Sequence, residues 1–113
     1  MTSAAIKSVS KNLSVGGPAT AGSAWIPETL KFIKENNVSL DFISTHEYPV
    51  GKVPIRNLMF QVLTYTREMV GNKMPLFYTE YSDDNSPFSK SFHDNIYASA
   101  FVMHNIIGKI EYI

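Results

Sequence analysis

Short apolar runs alternate with amphipathic helical patterns along the chain, and this alternation is the strongest constraint on its fold. The starts of the apolar runs recur about every 30 residues, which is the length of a βαβ unit. Nearly continuous apolar strands are typical of a parallel sheet that is covered on both faces. We therefore predict an α/β fold with four strands, at Leu13–Val15, Leu40–Thr45, Leu76–Thr79 and Ile110–Ile113.

The segments between these strands have the spacing of one-sided helices. In the clearest of them, Ile55, Leu58, Met59 and Val62 recur at i, i+3, i+4 and i+7. A proline near the start and a glycine after the end mark the boundaries of such helices. The predicted helices are Trp25–Asn36, Pro54–Val70 and Asp94–Ile107, the last capped by Gly108, with the tail of a further helix up to about Ser10.

Composition excludes several classes of function. The 113 residues suffice for one small domain, and ten basic residues balance ten acidic ones. The net charge is zero, so the chain lacks the excess of positive charge that attracts nucleic acid or an anionic membrane surface, and neither partner is expected. No apolar run approaches the roughly 20 residues that a membrane helix needs. Localisation and redox compartment stay undetermined.

The sequence also lacks the motifs of metal and cofactor sites. It contains no cysteine, and His46, His93 and His104 lack the spacing of metal ligands. The Gly16-Gly17 pair is not part of a phosphate-binding loop. Ser44 and Ser82 are outside any nucleophile-elbow motif. We therefore expect no metal and no cofactor.

Polar residues collect where the predicted strands end. Gly16-Gly17-Pro18 follows the first strand, Ser44-Thr45-His46 and then Glu47-Tyr48-Pro49 close the second, and Thr79-Glu80-Tyr81 closes the third. Ligands of parallel α/β folds bind at the carboxyl ends of the strands. These groups are therefore predicted to converge on one rim as a polar site.

Each of these features also has a purely structural interpretation. Gly16-Gly17-Pro18 is compatible with a tight turn, and His46 with a hydrogen-bonded structural histidine. Glu80 is compatible with a solvated carboxylate at the end of a strand. His104 lies on the apolar stripe of a predicted helix and is assigned to the core.

Taken together, LSVGGPATAGSAW (13–25), LDFISTHEYP (40–49), PLFYTEYS (75–82) and, more weakly, SFHDNIYASAFV (91–102) resemble glycoside hydrolase family 39, the β-xylosidase and α-L-iduronidase group. The resemblance covers nearly the whole chain. It implies a retaining glycosidase on a (β/α)₈ barrel. Residues 1–113 then correspond to roughly strands five to eight, a fragment of one catalytic domain whose N-terminal half is absent.

The resemblance also implies roles for particular residues. It assigns Glu80 as the catalytic nucleophile at the end of strand seven, and His46 and Tyr48 as contacts to the sugar. Gly17, within residues 16–19, would shape the floor of the pocket. Tyr81 would form its wall, where many members of the family have tryptophan. The expected partner is a carbohydrate substrate.

One departure from the family pattern bears directly on activity. The family places its acid/base carboxyl in an Asn-Glu-Pro motif, which this sequence does not contain, and we expect the motif upstream of Met1. Glu47, Asp83 and Asp84 lie on the expected rim but do not match that position. The chain alone is therefore expected to be nearly inactive, with open sheet edges that favour self-association. The alternative is a non-catalytic carbohydrate-binding or interaction module derived from a half-barrel.

Overall fold

A computed structural model of the chain describes residues 2–48, 58–82 and 95–110. Within these ranges three strands form a parallel sheet in the order β1-β2-β3, and the helices alternate with the strands along the chain. The predicted α/β fold is therefore confirmed for this part of the chain. The elements are α1 Thr2–Val9, β1 Gly16–Ala21, α2 Ile26–Glu35, β2 Phe42–Glu47, α3 Leu58–Val70, β3 Leu76–Tyr81 and α4 Ile96–Ile110.

The core lies between the sheet and the helices that cover one of its faces. Ile43, the second residue of β2, and Ile26, the first residue of α2, are completely buried. Met59, Leu63 and Thr66 of α3 are buried, and their spacing of four and three places them on one face of that helix. Met59, one residue of the predicted apolar stripe, therefore lies on the face that packs.

The first strand, β1, begins at Gly16, directly after the segment Leu13–Val15 that was predicted to form it. The prediction of a strand at Leu13–Val15 was therefore wrong. The β1 ladder begins at the pair Gly16–Phe42 and ends at the pair Ala21–His46. A Cβ atom on Gly16 would lie 2.2 Å from the Phe42 ring, so only glycine lets the two strands approach this closely. The pairing with β2, rather than the apolar run at Leu13–Val15, therefore sets the position of β1.

An ion pair and a hydrogen bond connect the amino-terminal helix α1 with the segment just before β2. Lys7 of α1 forms an ion pair with Asp41, with 2.7 Å between Nζ and Oδ2, and the same carboxylate oxygen accepts a hydrogen bond from the Val15 backbone N–H. The Ser3 hydroxyl donates to the Ser39 backbone carbonyl at 2.5 Å. These contacts order the segment before β1, as the prediction of a helix up to about Ser10 required.

At the carboxyl end, Gly108 lies inside α4, which continues to Ile110, so its predicted role as a helix cap was wrong. One glycine inside a helix costs only about 1 kcal/mol relative to alanine, which is too little to end a helix by itself. Ile110 belongs to α4, and residues 111–113 of the predicted fourth strand lie outside the described residues, as do Asp94 and residues 54–57.

Several apolar side chains of α4 are exposed, including Ile96, Met103 and Ile107. β1 and β3 are the outer strands of the described sheet. Self-association through these open edges stays a prediction. None of the helices in the described ranges has the length and apolar character needed to cross a membrane.

Candidate active site

The register of the sheet brings together three side chains from the ends of β2 and β3. His46 lies beside Glu80 in the ladder, and its Nδ1 is 3.9 Å from Glu80 Oε2. Tyr48 follows the last residue of β2, and its phenol donates a hydrogen bond to Glu80 Oε1. An imidazole, a phenol and a carboxylate therefore meet at the carboxyl edge of the sheet, where the sequence predicted a polar site.

The electrostatics of this cluster favour a neutral phenol beside an accessible carboxylate. The hydrogen bond to Glu80, together with burial and the charge of the same carboxylate, raises the pKa of Tyr48 to about 12. The Glu80 side chain is 57% exposed, whereas that of His46 is 25% exposed. Tyr48 therefore remains a hydrogen-bond donor at neutral pH, and Glu80 is open to a molecule approaching from solvent.

The other two predicted site residues lie apart from this cluster. Gly17 pairs with Ile43, which precedes His46 on β2, and it belongs to the start of β1 rather than to its end. Tyr81 pairs with Glu47, and the alternation of strand residues places it on the sheet face opposite Glu80. The predicted location of Gly17 after the first strand was therefore wrong, while the binding roles of Gly17 and Tyr81 stay predictions.

A group of buried hydroxyls on the other face of β2 was not identified from the sequence. Thr45 Oγ1 donates to the Thr20 backbone carbonyl at 2.6 Å and accepts the Ser23 backbone N–H at 3.0 Å. The Ser23 hydroxyl bonds the Thr66 hydroxyl, and the Tyr78 phenol lies 3.4 Å from Thr66 Oγ1. These hydroxyls connect the end of β1 with β2, α3 and β3 beneath the cluster at the rim.

Glu47 belongs to this buried face and not to the rim, where the sequence analysis had placed it. Its side chain is almost fully buried, and its Oε1 accepts a hydrogen bond from the Tyr48 backbone N–H at 3.1 Å. Burial raises the pKa of the Glu47 carboxyl, against a smaller opposing effect of that N–H donor. The alternation of a strand explains the correction, because neighbours such as His46 and Glu47 point to opposite faces. Asp83 and Asp84 lie outside the described residues.

His104 takes no part in the cluster. His104 of α4 packs edge-on against Phe60 of α3, with 5.1 Å between the ring centroids, and His93 lies outside the described residues. Across the described ranges no three His, Cys, Asp or Glu side chains come together in a way that could hold a metal ion.

Comparison with known proteins points to one family. The model of a family described as "Glycosyl hydrolases family 39" matches residues 1–113. A beta-xylosidase of Caldicellulosiruptor saccharolyticus is 36% identical over 125 residues, which cover 95% of this chain and 24% of the relative. A beta-xylosidase of Geobacillus stearothermophilus is 30% identical over 134 residues, which cover 100% of this chain and 26% of the relative.

Solved structures agree with the sequence relatives. A monomeric beta-xylosidase from Caulobacter crescentus CB15 superposes with a TM-score of 0.82 at 32% identity, over 93% of this chain and 24% of that structure. A GH39 enzyme from Xanthomonas axonopodis pv. citri superposes with a TM-score of 0.77 at 27% identity, over 90% of this chain and 23% of that structure. The chain thus spans about a quarter of the length of the curated relatives it matches.

Proposed function

The chain belongs to glycosyl hydrolase family 39, and from this premise we propose that it forms part of the catalytic barrel of a retaining O-glycoside hydrolase. The substrate class is a β-xyloside or a related glycoside, in keeping with the beta-xylosidases to which the chain is similar. The observation that carries the proposal is the cluster of His46, Tyr48 and Glu80 at the carboxyl edge of the parallel sheet.

In this proposal Glu80 is the nucleophile. Tyr48 donates to Oε1 and holds the carboxylate in one orientation, which leaves Oε2 to attack the anomeric carbon. A bond forms between Oε2 and that carbon as the glycosidic bond breaks, and an acid elsewhere in the site protonates the departing oxygen. His46 lies next to the attacking oxygen and contacts a hydroxyl of the sugar. Water then releases the sugar and regenerates the Glu80 carboxylate.

The mechanism needs a second carboxyl group about 5–5.5 Å from the nucleophile. Burial raises the pKa of the Glu47 carboxyl, but this group is buried on the opposite face of β2 from His46 and cannot reach a leaving group. The family resemblance assigns the acid/base to an Asn-Glu-Pro motif that is absent from this sequence. We therefore propose that residues 1–113 alone do not hydrolyse glycosides at a useful rate.

The same proposal assigns the described strands to the barrel. β1, β2 and β3 correspond to strands five, six and seven of a (β/α)₈ barrel. The parallel order of these strands supports this assignment, and so does the cluster of His46, Tyr48 and Glu80 at their carboxyl ends. The active sites of such barrels lie at the carboxyl ends of the strands. Gly17 lines the floor of the pocket, whereas Tyr81, on the sheet face opposite Glu80, is not assigned to its wall.

A fluorinated xyloside tests the assignment of the nucleophile, because it traps the covalent intermediate of a retaining enzyme. In the protein that carries this chain together with an Asn-Glu-Pro motif, we expect the label on the peptide that contains Glu80. Glu80→Gln should abolish labelling and lower kcat roughly a thousandfold or more. Glu68→Gln, an exposed carboxylate on α3, is the matched control and should leave both unchanged.

Three results would contradict the proposal. A label on a different carboxylate would remove Glu80 from the role of nucleophile. Retained activity in Glu80→Gln would remove the two-carboxyl mechanism from this site. If xylosides bind the protein without labelling or turnover, the chain functions as a carbohydrate-binding module instead.

A further inference from the structure

Glu47 is a buried carboxyl group that the proposed mechanism does not use. Only 7% of the residue is exposed. Its Oε1 accepts the Tyr48 backbone N–H at 3.1 Å, and its Oε2 is buried with no hydrogen-bond partner among the described residues. A carboxyl group is costly to bury with so few partners, so a packing role alone would be filled at lower cost by an apolar side chain.

The contact to Tyr48 occurs where the sheet stops supporting the chain. Glu47 is the last residue of β2 in the ladder, paired with Tyr81 of β3, and Tyr48 follows it with no ladder partner in the described part of the chain. The Tyr48 amide is bonded to the Glu47 carboxyl instead. The Tyr48 side chain must nevertheless reach Glu80 on the neighbouring strand, so the direction of its backbone matters.

We propose that Glu47 is a positioning residue, whose carboxyl oxygen fixes the Tyr48 backbone so that the phenol donates to Glu80. His46 and Glu47 then divide the end of β2 between two tasks. His46 faces the cluster directly, and Glu47 acts from the buried face through Tyr48. The effect on the Tyr48–Glu80 hydrogen bond is independent of any activity, whereas the effect on catalysis rests on the proposed function.

The surroundings of Glu47 indicate which substitutions separate this role from packing. Burial raises the pKa of its carboxyl, against a smaller lowering by the Tyr48 N–H. Tyr78 of β3 is the nearby titratable group: burial raises the pKa of its phenol, and the Glu47 charge adds to that rise while Arg67 of α3 opposes it. Glutamine has the shape of the neutral acid and keeps a carbonyl oxygen for the Tyr48 N–H, whereas leucine keeps the bulk and removes the acceptor.

The ionisation of Tyr48 provides a direct readout. In protein labelled with carbon-13 at the ring Cζ of tyrosine, Tyr48→Phe identifies the Tyr48 signal, and we expect this signal to report a pKa of about 12 in the parent protein. We expect Glu47→Gln to keep this raised value. Glu47→Leu should lower it by about one to two units, toward the ordinary tyrosine value of about 10. Both variants keep the side chains of Glu80 and His46, which are the other titratable groups at the cluster.

A second variant and a control keep the test decisive. If Glu47→Leu does not fold, Glu47→Asp, which withdraws the oxygen by one methylene, should also lower the Tyr48 pKa. Thr45→Val destabilises the same buried face without contacting Tyr48, so it should leave that pKa at its parent value. A raised Tyr48 pKa that survives in Glu47→Leu and Glu47→Asp would overturn the proposal, as would its loss in Glu47→Gln.

Kinetics then connect the hydrogen bond with catalysis. In the full-length protein we expect Glu47→Leu to lower kcat about ten- to a hundredfold with little change in KM, and Glu47→Gln to restore kcat to within a fewfold of the parent. A lowered Tyr48 pKa with no trapped intermediate at Glu80 would contradict the proposed function and leave the positioning role standing. A trapped intermediate at Glu80, together with a Tyr48 pKa that Glu47→Leu leaves unchanged, would support the proposed function and contradict the positioning role.

Discussion

Replacing Thr45 by valine removes one buried hydroxyl and keeps the shape of the side chain. Thr45 is completely buried. Its Oγ1 makes two short hydrogen bonds, as donor to the Thr20 carbonyl at 2.6 Å and as acceptor from the Ser23 N–H at 3.0 Å, and a long contact of 3.4 Å to the His46 carbonyl. Ser23 is itself buried and has a positive φ of 58°, so its backbone depends on this contact at the turn after β1.

The cost of the substitution follows from these two contacts. Leaving the buried Ser23 N–H without its acceptor costs about 1–3 kcal/mol, and losing the bond to Thr20 costs about 0.5–1.5 kcal/mol. We therefore expect Thr45→Val to lower the free energy of unfolding by about 2–4 kcal/mol. Thr45→Ser keeps the hydroxyl and loses one methyl group, which costs only about 1 kcal/mol.

Urea denaturation followed by circular dichroism measures this difference, since the midpoint shifts while the slope stays constant. Thr64→Val makes the same chemical change at an exposed position of α3 and should stay within about 0.5 kcal/mol of the parent. If Thr45→Val is less destabilising than Thr45→Ser, the hydroxyl contributes less than the methyl group, and the assigned hydrogen bonds do not hold the turn.

Further substitutions test the packing and the ion pair. Gly16→Ala places a Cβ 2.2 Å from the Phe42 ring and should lower the free energy of unfolding by about 1–3 kcal/mol in the same urea assay. Ile26→Ala, at a fully buried site, should cost about 2–5 kcal/mol, and a loss below 1 kcal/mol would show that the start of α2 is not core. The hydrogen bond from Lys7, followed by the one from the Val15 N–H, holds the pKa of Asp41 below its ordinary value. Because this carboxyl pKa is lowered by folding, the ionised carboxylate stabilises the fold fully above the unfolded-state pKa of about 4. That stabilisation is lost as pH falls through the folded-state pKa. The thermal midpoint of Asp41→Asn should therefore fall less steeply than that of the parent below about pH 4.

The helices and the sheet type followed from local spacing. Met59, Leu63 and Thr66 become the buried stripe of α3 because an α-helix returns to the same face every three or four residues, whatever surrounds it. In the same way, the apolar run from Leu76 predicted β3 without knowledge of its neighbours. Local sequence is informative here because the side-chain period is a property of each element alone.

The residues of the candidate site followed from the sequence for a related reason. Glu80 and His46 lie near the carboxyl ends of apolar strands that the sequence predicts to be parallel. The carboxyl ends of parallel strands lie at the same edge of a sheet. Their proximity was therefore predictable. The bond from Tyr48 to Glu80 was not, because it depends on how the chain leaves β2.

The sequence by itself determined the order of the elements and the set of polar residues at the edge of the sheet, because both depend on local spacing. Only the tertiary structure decided that β1 begins at Gly16, since the ladder with Phe42 is a pairing between distant segments. It also decided that Glu47 lies on the buried face while its neighbour His46 lies at the rim. A single step along a strand reverses the direction of a side chain, so the register of the sheet separates a core carboxyl from a site residue.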